Sequence, residues 1–250
     1  MSAVVVIPAR YGSSRFPAKM LAAETGRPLV QHVVDRVRRC SLVRETIVAT
    51  DDQRIVDALR PFDTKCVLTS PEHQSGTDRI AEVAQSLNDE IIINVQGDEP
   101  EIEPEVVDAL ILRLQQAREN MVTAATDYPA AADPNDPNLV KAVVAADGRA
   151  IYFSRAAIPY RREPQSPVNT GYLLHLGIYG YRREFLIRYT QWPQSPAELT
   201  EKLEQLRALE HGESLYVLKV KRATHGIDTP QQYQAFLKRQ GQLVGGERQV

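Results

Sequence analysis

Short runs of β-branched and aliphatic residues alternate along the chain with longer stretches in which apolar residues recur every three or four positions. The first run is VVVI at 4–7; Leu29–Val37 then carries Val30, Val33, Val34 and Val37 on one helical face, and 46–49 is the next run. The same alternation predicts strands at 66–68 and 91–95, a helix over 77–87 between them, and a helix that Pro104 opens and that runs to about residue 119. Alternation of this kind predicts an α/β fold, a Rossmann-like, mostly parallel sheet flanked by helices on both faces.

The middle of the chain reads differently. DPNDPN at 133–138 is a loop of turn-formers, strand-like stretches follow at 140–144 and 151–153, and REPQSPVN at 162–169 is a second break. An aromatic-rich strand is predicted at 173–181. Ser195 to Glu198 reads as a capping box with proline at the first helical position. After a strand at 216–220, Thr229, Pro230 and Gln232 open the last helix by the same device, and the tail from Gly245 is expected to fray. The expected organisation is one domain over 1–250, with a smaller lobe within it at about 150–212.

Composition adds limits. A chain of 250 residues that is 43% hydrophobic can bury a full core, and a net charge of −2 calls for neither nucleic acid nor an anionic membrane as partner. Any cationic site must be local. No apolar run reaches the ~20 residues of a membrane span and no charged and apolar leader opens the chain, so a cytoplasmic protein is expected. Cys40 and Cys66 are too few for a disulfide framework or a zinc knot and read as small buried hydrophobes.

Ligands of parallel α/β sheets bind beyond the carboxyl ends of the strands, and three unusual segments fall at such ends: PARYGSSRFPAK at 8–19, TDD at 50–52 and QGDEP at 96–100. The first resembles an anion cradle. Gly12 permits close backbone approach, Ser13 and Ser14 offer hydroxyls, and Arg10, Arg15 and Lys19 neutralise charge, although three basic residues in a surface loop can also be merely solvated. It is neither a Walker A loop nor a GxGxxG fingerprint, since the required glycines and the Ser or Thr after the lysine are missing. Asp98 in QGDEP is the candidate magnesium ligand, with Asp228 of GIDTP as a second carboxylate or as a simple aid to helix entry. With no Ser-His-Asp or Cys-His nucleophile in view, these groups point to in-line phosphoryl or nucleotidyl transfer driven by charge neutralisation.

With those segments in hand, the sequence resembles the 3-deoxy-manno-octulosonate cytidylyltransferases, or CMP-Kdo synthetases. IPARYGSSRFPAK, HQSGTDRIAEV, NVQGDEP, YFSRAAIPY, HLGIYGYR, LEQLR and GIDTP occur in the family's order, and the match covers nearly the whole chain. The resemblance implies a fold of the nucleotide-diphospho-sugar transferase type, with a substrate and dimerisation sub-lobe at about 150–212. It also implies a Mg2+-dependent homodimer that joins CTP to the sugar acid Kdo, giving CMP-Kdo and pyrophosphate for lipopolysaccharide assembly. By motif, Arg10, Ser13, Arg15 and Lys19 would hold the triphosphate, and Gln74 and Ser75 would lie beside cytosine and ribose. Asp98 and Asp228 would hold magnesium, and Lys19, Arg10, Asp98 and Asp228 would form the catalytic set. Gln96, Arg162, His175, Tyr179, Glu204 and Gln205 would surround the sugar acid.

Each sugar-side residue also has a plainer reading. His175 and Tyr179 are in phase on one strand and could face the core with satisfied polar tips, while Glu204 and Gln205 could be solvated positions on a charged helix. Three positions depart from the family's commoner pattern: Ala18 stands where glycine is usual, Phe16 where leucine is usual, and Arg161 where an acidic residue is frequent. The last leaves open whether Arg161 or Arg162 meets the sugar carboxylate. Rival functions are a CMP-sialate synthetase, a glycosyltransferase, which would normally show an Asp-x-Asp motif, and a nucleotide-sensing or structural dimer.

Overall fold

The computed structural model describes residues 1–13, 15–116, 118–163, 171–221 and 226–246, and for 242–246 the backbone alone. Ser14, most of the break at 162–169 and the last four residues therefore lie outside the described residues. Strand β1 (Ala3–Ala9) is buried at all seven positions, as befits a strand with a neighbour on each side and a helical layer over each face. It pairs in parallel with β2 (Glu45–Thr50) and β4 (Ile91–Asn94), and β3 (Lys65–Leu68) adds in parallel to β2. With β5 (Met121–Asp127), β8 (Leu173–Arg182) and β9 (Leu215–Val220), the sheet order is β3-β2-β1-β4-β8-β5-β9. Strand β8 runs antiparallel to β4 and β5, whereas β9 is parallel to β5. Strands β6 (Lys141–Val144) and β7 (Ala150–Ser154) form a hairpin that joins the sheet through β6 and β8.

Alternation along β1 separates two apolar layers. Val5 and Ile7 pack with the apolar faces of α1 (Leu29–Val37) and α4 (Pro104–Gln116). Val4 and Val6 face the other way, toward α3 (Gly76–Gln85), α5 (Arg183–Tyr189) and α7 (Gln205–Glu210). A third, small cluster of Leu29, Ile227, Tyr233 and Phe236 seats α8 (Pro230–Gly246) on the N-terminal loop. That cluster carries the segment before α8 back to β1, which brings the two ends of the chain's chemistry together. Both predicted capping boxes form: Ser195 with Glu198 opens α6 (Pro196–Glu201), and Thr229 exchanges hydrogen bonds with Gln232 at 3.0 and 3.2 Å.

Strand β5 and helices α2 (Gln53–Leu59) and α5 were absent from the alternation read in the sequence. MVTAATD has few bulky β-formers yet is buried at six of seven positions between β8 and β9, so burial by its neighbours overrides its weak propensity. Helix α8 runs to Gly246, and the rest of the tail expected to fray lies outside the described residues. Cys40 and Cys66 are free and half-buried, packing against the core from its edge instead of within it. Burial pushes their thiols up, to about 12 and about 11.

Candidate active site

A cavity of about 400 Å³ opens where β1 and β4 end, and the chain has to be tightly folded there. A Cβ on Gly97 would lie 2.9 Å from the Pro8 carbonyl oxygen, so glycine is what lets the turn after β4 pack on the chain leaving β1. One residue further, Asp98 meets Lys19. The Lys19 ammonium donates to Asp98 Oδ2 at 2.5 Å, to Asp228 Oδ1 at 3.0 Å and to the Ile227 carbonyl at 3.1 Å, and the residue is only 8% exposed. Two carboxylates from distant parts of the chain thus converge on one cation. Asp228 is not merely assisting helix entry, because its second oxygen also takes a 3.1 Å ion pair from the exposed Arg15.

The N-terminal loop is shaped for this. Ala18 lies in the left-handed region, with φ 53° and ψ 27°, and its carbonyl accepts from Leu21 at 2.8 Å to close a 3₁₀ turn at Lys19–Leu21. The turn buries Lys19 while Arg10, Gly12, Ser13 and Arg15 line the cavity. Phe16 packs against Tyr233 of α8 with ring centroids 5.6 Å apart, tying the loop to the segment that holds Asp228. Opposite lies the N-terminus of α3. Gln74 and Ser75 both line the cavity, but the Ser75 hydroxyl is engaged in the cap, accepting from Asp78 N at 3.1 Å and donating to Asp78 Oδ2 at 3.0 Å. The end of a ten-residue helix adds its own positive potential toward an anion.

The donor set suits magnesium, which takes hard oxygens, usually one or two carboxylates, with water and phosphate completing its shell. Among the described residues no group of three or more His, Cys, Asp or Glu converges, so a cation held by Asp98 and Asp228 would draw its remaining ligands from a bound phosphate and water.

The sugar-side candidates divide. Gln96 and Glu204 line the cavity. Gln205 is 2% exposed; its Oε1 accepts from the Tyr179 hydroxyl at 3.0 Å, and its Nε2 is buried without a partner among the described residues. Glu204 accepts from Thr77 Oγ1 at 2.5 Å, and burial raises its carboxyl above the usual range. Neither is a solvated helix position. Tyr179 lies 5.5 Å from the His175 ring by centroids, and His175 Nε2 is 3.0 Å from Thr123 Oγ1; burial holds this imidazole down to about 3, so it is neutral at working pH. The row His175, Tyr179, Gln205 adjoins the cavity through Glu204 and through Gln96, whose Nε2 donates to the Gly177 carbonyl at 3.4 Å. Arg162 is exposed and not part of the cavity wall, and Arg161 stacks its guanidinium 4.6 Å over the Tyr172 ring with one nitrogen buried and without a partner among the described residues.

Two cavity residues escaped sequence reasoning although they stand inside HQSGTDR. Arg79 is buried and bonds Thr69 Oγ1 and Asp51, at 2.5 and 2.8 Å, and His73 hydrogen-bonds Glu82. That accounts for TDD, which does not line the cavity: Asp51 holds Arg79, and Asp52 caps α2 through Arg54 N at 2.9 Å.

The cytidylyltransferase family model matches residues 4–215. A 3-deoxy-manno-octulosonate cytidylyltransferase of Idiomarina loihiensis is 47% identical over 252 aligned positions, covering 96% of this chain and 99% of its own. The chain belongs to the 3-deoxy-manno-octulosonate cytidylyltransferase family. Another member, from Nitratidesulfovibrio vulgaris, is 46% identical over 230 positions, with 90% and 91% of the two chains covered. Among solved structures, a CMP:2-keto-3-deoxy-manno-octonic acid synthetase complexed with CTP superposes with a TM-score of 0.89 at 41% identity, over 99% of this chain and 100% of its own. Membership makes this cytidylyltransferase a nucleotidyltransferase.

Proposed function

We propose that the enzyme joins CTP to 3-deoxy-D-manno-octulosonate in a magnesium-dependent reaction, releasing pyrophosphate and forming CMP-Kdo for lipopolysaccharide assembly. The observation that carries this reading is the convergence of Asp98 and Asp228 on Lys19, in one cavity with Arg10, Ser13 and Arg15. Relatives named for this activity and a near structural neighbour complexed with CTP support it. In this reading Arg10, Ser13, Arg15 and Lys19 hold the triphosphate, and Gln74 and Ser75 lie beside the nucleoside at the α3 N-terminus. Asp98 and Asp228 would hold magnesium, which would supply charge neutralisation at the α-phosphate and favour ionisation of the attacking hydroxyl. Gln96, Glu204, Gln205, His175 and Tyr179 surround the sugar, and Arg161 or Arg162 meets its carboxylate, a planar anion that a guanidinium recognises well.

The C2 hydroxyl of the sugar acid attacks the α-phosphorus of CTP in line. The new C2–O–P bond forms as the bond to the pyrophosphate oxygen breaks, and the hydroxyl proton leaves to solvent. No covalent enzyme intermediate is needed. Lys19 and Arg10 stabilise charge that builds on the phosphate oxygens, which is where preorganised cations contribute most.

The reading also places the enzyme in the cytoplasm, where nucleoside triphosphates are available; among the described residues no helix is long and apolar enough to cross a membrane. It makes the enzyme a homodimer through the lobe at 150–212, where Ile151 and Leu199 are exposed apolar residues, at 59% and 45%. Pyrophosphate release measured across CTP, UTP, ATP and GTP with Kdo or sialic acid, with and without magnesium, tests the whole. Release confined to CTP, Kdo and magnesium is expected; turnover with sialic acid in preference to Kdo, or without a divalent ion, would sink it.

A further inference from the structure

We propose that Thr123 sets the hydrogen-bonding polarity of the sugar-acid site, by holding His175 in the tautomer that offers its Nδ1 lone pair to a sugar hydroxyl. The inference rests on the reading that His175 contacts the sugar acid. It begins at an irregularity in the sheet. Thr123 of β5 stands opposite Tyr179 of β8, but the next residue, Ala124, stands opposite Leu176, so residues 177 and 178 have no counterpart in β5. Thr123 is fully buried at this bulge, and its Oγ1 lies 2.7 Å from the Ile178 carbonyl oxygen and 3.3 Å from that of Leu176.

A carbonyl oxygen only accepts, and a threonine hydroxyl has one proton. An oxygen pair 2.7 Å apart is repulsive unless a proton lies between them, so the Thr123 proton is directed to Ile178. The third neighbour of Oγ1 is His175 Nε2 at 3.0 Å, and it must therefore bring the proton of that contact itself. A neutral imidazole carries a single N–H, so Nδ1 is left as the acceptor. The ring is neutral because it is buried against Phe153, edge-on at 4.8 Å, and Tyr179, at 5.5 Å. Among the described residues, the Thr123 hydroxyl is the partner that holds the proton on Nε2.

The chemical consequence is selective. His175 accepts from a hydroxyl and cannot pair with the sugar acid's carboxylate, which must be met by a guanidinium elsewhere. If the tautomers were free to divide equally, half the molecules would lose this acceptor and the apparent affinity would fall about twofold.

The test uses the full chain labelled with ¹⁵N-histidine. A long-range ¹H–¹⁵N correlation spectrum of the wild type should show the His175 proton on Nε2 and a bare Nδ1; a proton on Nδ1 overturns the proposal without recourse to any variant. Thr123→Val should release the tautomer preference and raise KM for Kdo about twofold, since only part of the molecules would then present a bare Nδ1, leaving KM for CTP unchanged, and Thr123→Ser should restore both. A folded Thr123→Val enzyme with unaltered KM for Kdo overturns the proposal as well. His175→Ala tells the two ideas apart: if KM for Kdo does not move while the wild-type spectrum still shows the Nε2 proton, the tautomer stands and the placement of the sugar acid is what fails.

Discussion

Ala18→Gly should stabilise the protein, which is the reverse of what the same change does in most places. Ala18 holds φ 53°, ψ 27°, where the Cβ of an L-residue crowds the backbone at a cost of about 1–2 kcal/mol. Glycine removes that cost but returns about 0.4–1 kcal/mol through the greater freedom of the unfolded chain. The Ala18 methyl is only partly buried, so little packing is lost. The balance is a gain of about 0.5–1 kcal/mol, or roughly 1–4 °C in Tm for a chain of this size. Thermal and urea unfolding of wild type, Ala18→Gly and Ala18→Val measure it. The valine variant, β-branched at a left-handed position, should lose at least as much as glycine gains. If glycine is neutral or harmful and valine is tolerated, the loop before Lys19 is not built on a left-handed residue, and the account of how Lys19 is turned inward falls with it.

Other outcomes follow from the same geometry. Asp98→Asn should remain folded and lose magnesium-dependent turnover; circular dichroism and pyrophosphate release together check this, and an active variant would refute the metal assignment. Lys19→Met should lower turnover about 10²- to 10³-fold. Since it leaves the Asp98 and Asp228 carboxylates without their shared cation, added magnesium should raise its Tm more than that of the wild type. Glu204→Gln should be more stable than wild type at pH 7–8 and equal to it at low pH. The raised carboxyl of Glu204 contributes stability that is full below the ordinary carboxylate range and lost as pH rises through its folded value, a loss the amide escapes. A stability difference that does not change from pH 4 to 8 would contradict that sign.

Much of this architecture was legible because local signals agreed with the global fold. The run at 4–7 has no polar residue to face water, and the strand it belongs to is central; Ser195 with Glu198 and Thr229 with Gln232 announce helix starts that occur where they stand. The segments that did not show are those whose state is decided by neighbours. Strand β5 is rich in alanine and threonine and becomes a strand because β8 and β9 enclose it. Helix α2 buries only Ile55 and Leu59, too short a face for periodicity to register. TDD looked like a ligand site by position alone, yet its carboxylates are taken by Arg79 and by the α2 cap.

The candidate site was legible in a different way, through residue types and not through contacts. Arg10, Ser13, Arg15, Lys19, Asp98 and Asp228 could be named because cations and carboxylates at strand ends have a chemistry of their own, and all six reach one cavity. What cannot be named from types is how each side chain divides its hydrogen bonds. Ser75 looks available and is spent on a helix cap, whereas Gln205 looks solvated and is buried with a donor that has no partner among the described residues. Thr123 illustrates the limit most sharply: nothing in MVTAATD marks it, and its importance arises only when a bulge in β8 turns two carbonyls and an imidazole toward one hydroxyl. On the proposed reading, the polarity of the sugar-acid site depends on where a single proton sits, and that is decided by register, a property of two strands that neither strand's sequence carries alone.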